Sequence, residues 1–187
     1  MNRSSKIAAA GAGAAALVIG VSAFVQPASA APASTQPTTQ AAMTIPSPLV
    51  VPPGNTLVET MTVLRGSQVY TCAARAWTLL EPVSVLHAGD AFVLNTQGPT
   101  WTSVNDGSSV TGETVASVPR PNAAPELLVK AVSNSGSGWL GDVDYIQRLA
   151  TVGGAAPTGA CTDGAIDAVP YQAQYRFYVP DSSRIHR

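Results

Sequence analysis

The clearest pattern in the chain lies near its end, where Tyr171, Ala173, Tyr175, Phe177 and Val179 alternate with Gln172, Gln174, Arg176 and Tyr178. Strict alternation puts one set on each face of an extended strand, and Pro170 stands at its start, where a missing N–H is tolerated. Weaker copies of the pattern run back to Asn55. Leu57, Met61 and Val63 share one alternating set, interrupted by Glu59, and Gly66-Ser67 ends the segment. Gln68 to Ala73 predicts a second strand and Ala76 to Leu80 a third, stopped by Glu81-Pro82.

Val83 to Leu86 and Ala91 to Leu94 flank His87-Ala88-Gly89-Asp90, the composition of a hairpin turn. Thr100 to Val104 and Ser108 to Val118 flank Asn105-Asp106-Gly107, and Asp-Gly between strand patterns is a strong hairpin signal. Pro119 to Pro125 holds three prolines and predicts a loop. Leu127 to Val132 fits a buried strand or a short helix; Ser135-Gly136-Ser137-Gly138 close behind favours strand. Asp142 to Ala150 predicts another strand, and Gly153-Gly154 opens a long loop carrying Cys161. Short strands without a sustained helical period indicate an all-β, mostly antiparallel domain, a sandwich or a barrel.

The first residues read differently. Arg3 and Lys6 precede an uncharged stretch from Ile7 to Val25, and Pro27 then leads into Ala28-Ser29-Ala30. This is the layout of a signal peptide cleaved after a small-x-small site. A retained membrane anchor is the alternative, but the stretch is rich in Ala and Gly and lacks a basic stop-transfer cluster. Residues 31–48 are mostly Ala, Pro, Ser, Thr and Gln and predict a flexible tether. The chain thus divides into a signal peptide (1–30), a tether (31–48), a β-rich domain (49–180) and a polar tail (181–187). The implied destination is outside the cytoplasm, secreted or in the cell envelope.

Charge adds an exclusion. Removing Arg3 and Lys6 from the 10 basic residues leaves 8 against 11 acidic ones, with no basic stripe, so nucleic acid is not an expected partner. Cys72 and Cys161 are the only two cysteines. In an oxidising compartment an even pair most simply forms one disulfide, with two buried thiols or a catalytic thiol as alternatives.

Several blocks resemble the bacterial and fungal domain of unknown function family 3455. They are Gly66 to Cys72 with Trp77 downstream, Gly98-Pro99-Thr100-Trp101 followed by Asp106-Gly107-Ser108, Tyr145-Ile146-Gln147-Arg148, Thr151 to Pro157, Cys161, and Val169 to Tyr178. They extend over about Val51 to Val179 in family order. The resemblance implies a secreted or envelope-associated β-rich domain with no established activity. Two positions depart from it: Asn95 stands where relatives commonly have histidine, and Glu126 where they tend to have tryptophan. A catalytic histidine at the first position would be missing here.

Candidate chemistry is thin. No Gly-x-Ser-x-Gly elbow occurs, and the two histidines are His87, in a turn, and His186, in the tail. Asp142 and Asp144, two apart on the expected strand, would share a face at a separation of about 6–7 Å, within reach of glycosidase or cation chemistry. Solvated carboxylates on the polar face of an edge strand, or partners for Arg148 and Arg176 across the sheet, are the favoured explanation of them. Asp163 and Asp167 flank Gly164 and fit a turn better than a calcium loop. Among the aromatic residues, Trp139 is expected to be exposed and Trp101 to pack on the core; with Arg148 they are the binding candidates.

The expectation is a non-catalytic binding or envelope-associated module for an extracellular ligand or envelope polymer. It needs no cofactor or metal and touches the membrane only through the transient signal peptide. An extracellular hydrolase or lyase using Asp142 and Asp144 is the alternative.

Overall fold

A computed structural model describes residues 43–184. The expected signal peptide, the tether as far as residue 42, and residues 185–187 with His186 lie outside them. Eight strands follow in order: β1 (Asn55–Ala73), β2 (Ala76–Ala88), β3 (Ala91–Thr96), β4 (Thr100–Ser103), β5 (Ser109–Arg120), β6 (Ala123–Ser135), β7 (Tyr145–Gly153) and β8 (Ile166–Pro180). Each pairs antiparallel with the next, and β8 returns to pair with β1. Of the two expected architectures the chain therefore adopts the closed barrel, which leaves no strand edge open to pair with other chains.

β8 behaves as its alternation predicts. Tyr171, Ala173, Tyr175, Phe177 and Val179 are all buried, while the residues between them are exposed or half-buried. The Gly89-Asp90 and Asp106-Gly107 turns likewise join β2 to β3 and β4 to β5.

Other punctuation is overridden. Gly66-Ser67 does not end a strand; β1 passes straight through it. Pairing with β8 runs to Thr62↔Gln174 and resumes at Ser67↔Pro170. Across this irregularity the buried set changes from Met61 and Val63 to Gln68, Tyr70 and Cys72. Gly66 is required by close approach, since a Cβ there would lie 2.5 Å from Ser84 Cβ and 3.0 Å from the Tyr171 ring.

β2 also runs through Glu81-Pro82, next to the shift between Val69↔Glu81 and Tyr70↔Leu79. The predicted loop from Pro119 to Pro125 shrinks to a turn at Pro121-Asn122, with Asn122 at φ 55°. Pro119 and Pro125 sit where pairing jumps from Val118↔Glu126 to Arg120↔Ala123. Bulges are the places inside a sheet where a missing N–H breaks no ladder bond. The expected strand from Asp142 starts late: Trp139–Asp142 form a 3-10 turn, and β7 begins at Tyr145.

The interior has two levels. Cross-strand partners Val63↔Leu86, Leu86↔Val93, Val129↔Ile146 and Ile146↔Phe177 form an apolar level. Trp139 and Leu140 of the 3-10 turn pack against it. Two residues along the same strands the partners are Ser84↔Asn95, Asn95↔Trp101 and Arg148↔Tyr175, a polar level. Outside the barrel, Leu49 is fully buried against Leu128 and Leu149, and its carbonyl accepts a 2.6 Å bond from Gln147 Nε2.

Cys72 and Cys161 form a disulfide with Cα atoms 6.0 Å apart, so the chain uses them as a cross-link rather than as thiols. Both halves of this bond belong to the polar end: Cys72 follows Gln68 and Tyr70 on β1, and Cys161 lies in the loop leading into β8. Beside it, the Asp163 carboxylate accepts a 2.8 Å bond from the Arg75 N–H and fixes the β1–β2 turn.

Candidate functional site

The polar level exists because inward positions on several strands carry polar side chains where their neighbours two residues away carry aliphatic ones. Val93 gives way to Asn95 on β3, Ile146 to Arg148 on β7, Leu86 to Ser84 on β2 and Phe177 to Tyr175 on β8. Asn95, Trp101, Arg148 and Tyr175 are all buried and line a cavity of about 20 Å³, together with Val129 and Ile146. Pro82, Pro99 and Leu127, each half-buried, form its rim toward solvent. That volume admits little more than a water-sized group at full depth.

A relay of hydrogen bonds crosses the level. The Tyr171 hydroxyl donates to Ser84 Oγ at 3.0 Å and sits 3.0 Å from the Tyr175 hydroxyl, which therefore donates to it. Arg148 is the cross-strand partner of Tyr175 and lines the same cavity. Arg148 Nε and Nη2 also donate to the Pro125 carbonyl at 3.1 and 2.9 Å. The Trp101 and Tyr175 rings meet edge to face, 6.2 Å between centroids, across the lumen.

The electrostatics are lopsided. Among the described residues the ion pairs are Arg120 with Glu126 and Lys130 with Asp144, and no carboxylate lies within ion-pair distance of Arg148, which is 6% exposed. Burial, reinforced by the neighbouring Tyr171, pushes the Tyr175 hydroxyl well above the usual phenol range against the opposing pull of Arg148. Tyr175 thus stays neutral at ordinary pH and supplies no negative charge. Tyr70, whose hydroxyl donates to the Gly154 carbonyl at 2.7 Å, is raised by burial in the same way, with Arg148 again opposing.

Three polar atoms at this cavity have no hydrogen-bond partner within the protein: Asn95 Nδ2, Asn95 Oδ1 and Trp101 Nε1. A buried donor or acceptor left unmade costs about 1–3 kcal/mol. Gln68 Nε2, elsewhere on the polar level, is unpartnered too.

The acidic pair is not built as expected. Asp142 ends the 3-10 turn, so it does not share a strand face with Asp144. The Asp144 carboxylate is held by Lys130 Nζ, which also lies 4.5 Å from the centre of the Tyr145 ring. Asp142 instead borders a surface groove of about 500 Å³ with Trp139, Glu59 and Val58. Trp139 is half-buried rather than exposed, its ring edge-on to Phe177 at 5.1 Å. Trp101 packs inward as expected, and the sequence candidates meet in two places, Trp101 with Arg148 at the cavity and Trp139 with Asp142 at the groove. Glu126, buried, accepts a 2.7 Å bond from the Ala150 N–H and steadies the bend where β7 shifts register against β8.

A family model described as protein of unknown function (DUF3455) matches residues 79–179. The chain belongs to this family. No curated protein and no solved structure matches it. The segment shared with DUF3455 carries Ser84, Asn95, Trp101, Arg148, Tyr171 and Tyr175, whereas β1, which closes the barrel, precedes it. In the sequence Asn95 stands out only as a departure from the DUF3455 pattern, Tyr175 only as one aromatic residue among several that could line a groove, and Ser84 not at all. The available signal was parity: a polar residue two places from a buried aliphatic one on a strand points the same way.

Proposed function

We propose that this DUF3455 member is an exported, non-catalytic binding module whose ligand enters the barrel interior past Pro82, Pro99 and Leu127. The observation that carries the reading is a cavity lined by a buried arginine and by Asn95 and Trp101, whose side chains keep polar atoms unpartnered within the protein. A core evolved for stability alone would place a leucine at position 95, as the apolar level does at Leu86. An amide there whose bonds are not made within the protein suits a small polar guest. The cavity suits a small molecule or the head of a larger one rather than a polymer strand.

The hydrolase alternative gains less support. Asp142 and Asp144 do not share a strand face, and the Asp144 carboxylate is engaged by Lys130. Export is supported by the leader pattern of residues 1–30 and by the disulfide, which persists outside reducing compartments.

The test is a thermal-shift screen of small metabolites and glycan fragments on the secreted protein, run beside an Asn95→Leu variant. A compound that stabilises the native protein and not the variant is expected. If every stabilising compound acts equally on both, the interior is not the site. N-terminal sequencing of protein from the culture medium should begin near Ala31; a start at Met1 in a membrane fraction would replace export by anchoring.

A further inference from the structure

The chemistry of the chamber also selects its guest, on the reading that the interior is a ligand site. We infer that the Arg148 chamber takes a small planar oxyanion, the head of a carboxylate or a free inorganic anion of that size, with the guanidinium as counter-charge. The groups facing the cavity are weighted toward donors. Arg148 carries five N–H bonds and spends one from Nε and one from Nη2 on a single carbonyl. Trp101 Nε1 can only donate, and Asn95 Nδ2 donates twice; both are unused within the protein. Asn95 Oδ1 is the one unpartnered acceptor at the cavity.

Charge points the same way. A guanidinium taken out of water without a counter-ion is costly, and removing one partner of a buried pair leaves that same cost behind. No protein carboxylate among the described residues lies within ion-pair distance of Arg148, and Tyr175 is held neutral. An arriving anion meets a preformed positive site with no charged group to displace. Its flat head matches the fork of the guanidinium. Size then limits the choice, because about 20 Å³ excludes a phosphate ester or a sugar acid at full depth. Leu127 and the two rim prolines leave an apolar exit for a short tail.

The Trp101 indole N–H gives a direct reporter, since its ¹⁵N–¹H resonance moves when the group gains an acceptor. Acetate titrated into the ¹⁵N-labelled secreted protein at constant ionic strength should displace that resonance saturably, and acetamide, the neutral isostere, should not. Arg148→Met should weaken the acetate effect at least tenfold while the rest of the spectrum stays native. If Arg148→Met does not fold, Asn95→Leu supplies the comparison, with a weaker loss of the same kind. A series from formate to butyrate decides the source: affinity rising with tail length identifies a carboxylate head, and nitrate binding as well as any of them identifies a free anion. Acetamide acting as strongly as acetate would overturn the anion assignment and leave the ligand site standing. A Trp101 resonance that drifts without saturating for every compound, alike in native and variant protein, would overturn both.

Discussion

The two ends of this barrel are made by the same strands, two residues apart, and they are opposite in character. At one end Val63, Leu86, Val93, Ile146 and Phe177 close a dry interior, stoppered by Trp139 and Leu140. At the other, Ser84, Arg148, Tyr171 and Tyr175 are joined by hydrogen bonds to one another or to the backbone, while Asn95 and Trp101 keep three polar atoms unpartnered within the protein. The apolar end gains from burial at about 25 cal/mol per Å². The polar end forgoes much of that gain, and it is the end that carries the covalent clasp. Stability and recognition are thus assigned to different levels of one fold.

The largest test of that division is the clasp itself. Bridging Cys72 and Cys161, 89 residues apart, should contribute on the order of 4–5 kcal/mol by restricting the unfolded chain. Reduction followed by alkylation should lower unfolding stability in urea by that order. If the polar end depends on the bond, hydrogen exchange will rise first at residues 67–73 and only later at residues 60–64. Uniform acceleration along β1 would mean that the ends are not separately stabilised.

Next comes Phe177→Ala, at the centre of the apolar end. Its ring is fully buried and meets Trp139 edge-on, so the change should cost about 3–5 kcal/mol. A loss below about 1 kcal/mol, measured by the same denaturation, would show that the apolar level does not hold the fold.

Asn95→Leu asks the reverse question of the polar end. The substitution keeps the branched heavy-atom shape, the adjoining cavity of about 20 Å³ gives room for the bulkier methyl groups, and two unpartnered polar atoms are removed, so the free protein should become more stable by about 1–2 kcal/mol. A loss of similar size would make Asn95 a structural residue and would weaken the case for a guest. The contrast with Phe177→Ala is the sharpest available, because the two side chains differ in depth along the barrel and hardly at all in burial.

How much of this was legible follows from where local signals and global closure agree. β8 was plain, because five inward residues alternate without a break and the extra residues at its irregular pairings lie on β1 and β7. Gly66-Ser67 and the prolines at 82, 119 and 125 read as stops because Gly, Ser and Pro usually are. In a closed barrel the same residues supply the bulges and close approaches that bend long strands, and Gly66 admits Ser84 and Tyr171 to one level. Nothing local distinguishes the two uses. The site was half legible: Trp101 and Arg148 were chosen as residue types, but their meeting with Asn95 and Tyr175 depends on register between strands, which one sequence does not display.

The smallest expected effect concerns how the apolar end is stoppered. Asp106 accepts from the Ser108 N–H and hydroxyl at 2.9 and 2.6 Å and from the Trp139 N–H at 3.4 Å, while Ser108 Oγ accepts from the Leu140 N–H at 3.2 Å. A polar turn between β4 and β5 therefore pins the 3-10 turn that covers a dry core. The bonds from Ser108 hold the Asp106 carboxyl below its ordinary value of 3.8. Because the folded value is depressed, the contribution is complete above the unfolded value and disappears as pH falls through the folded one. Asp106→Asn should thus reduce stability slightly at about pH 6, and the gap between native and variant protein should close on acidification below the unfolded value. The carboxylate is exposed, so the gap should also shrink with added salt. A gap that persists through the acid range would assign the work to the shape of the turn instead of its charge. The stopper would then be independent of the electrostatics that distinguish the opposite end.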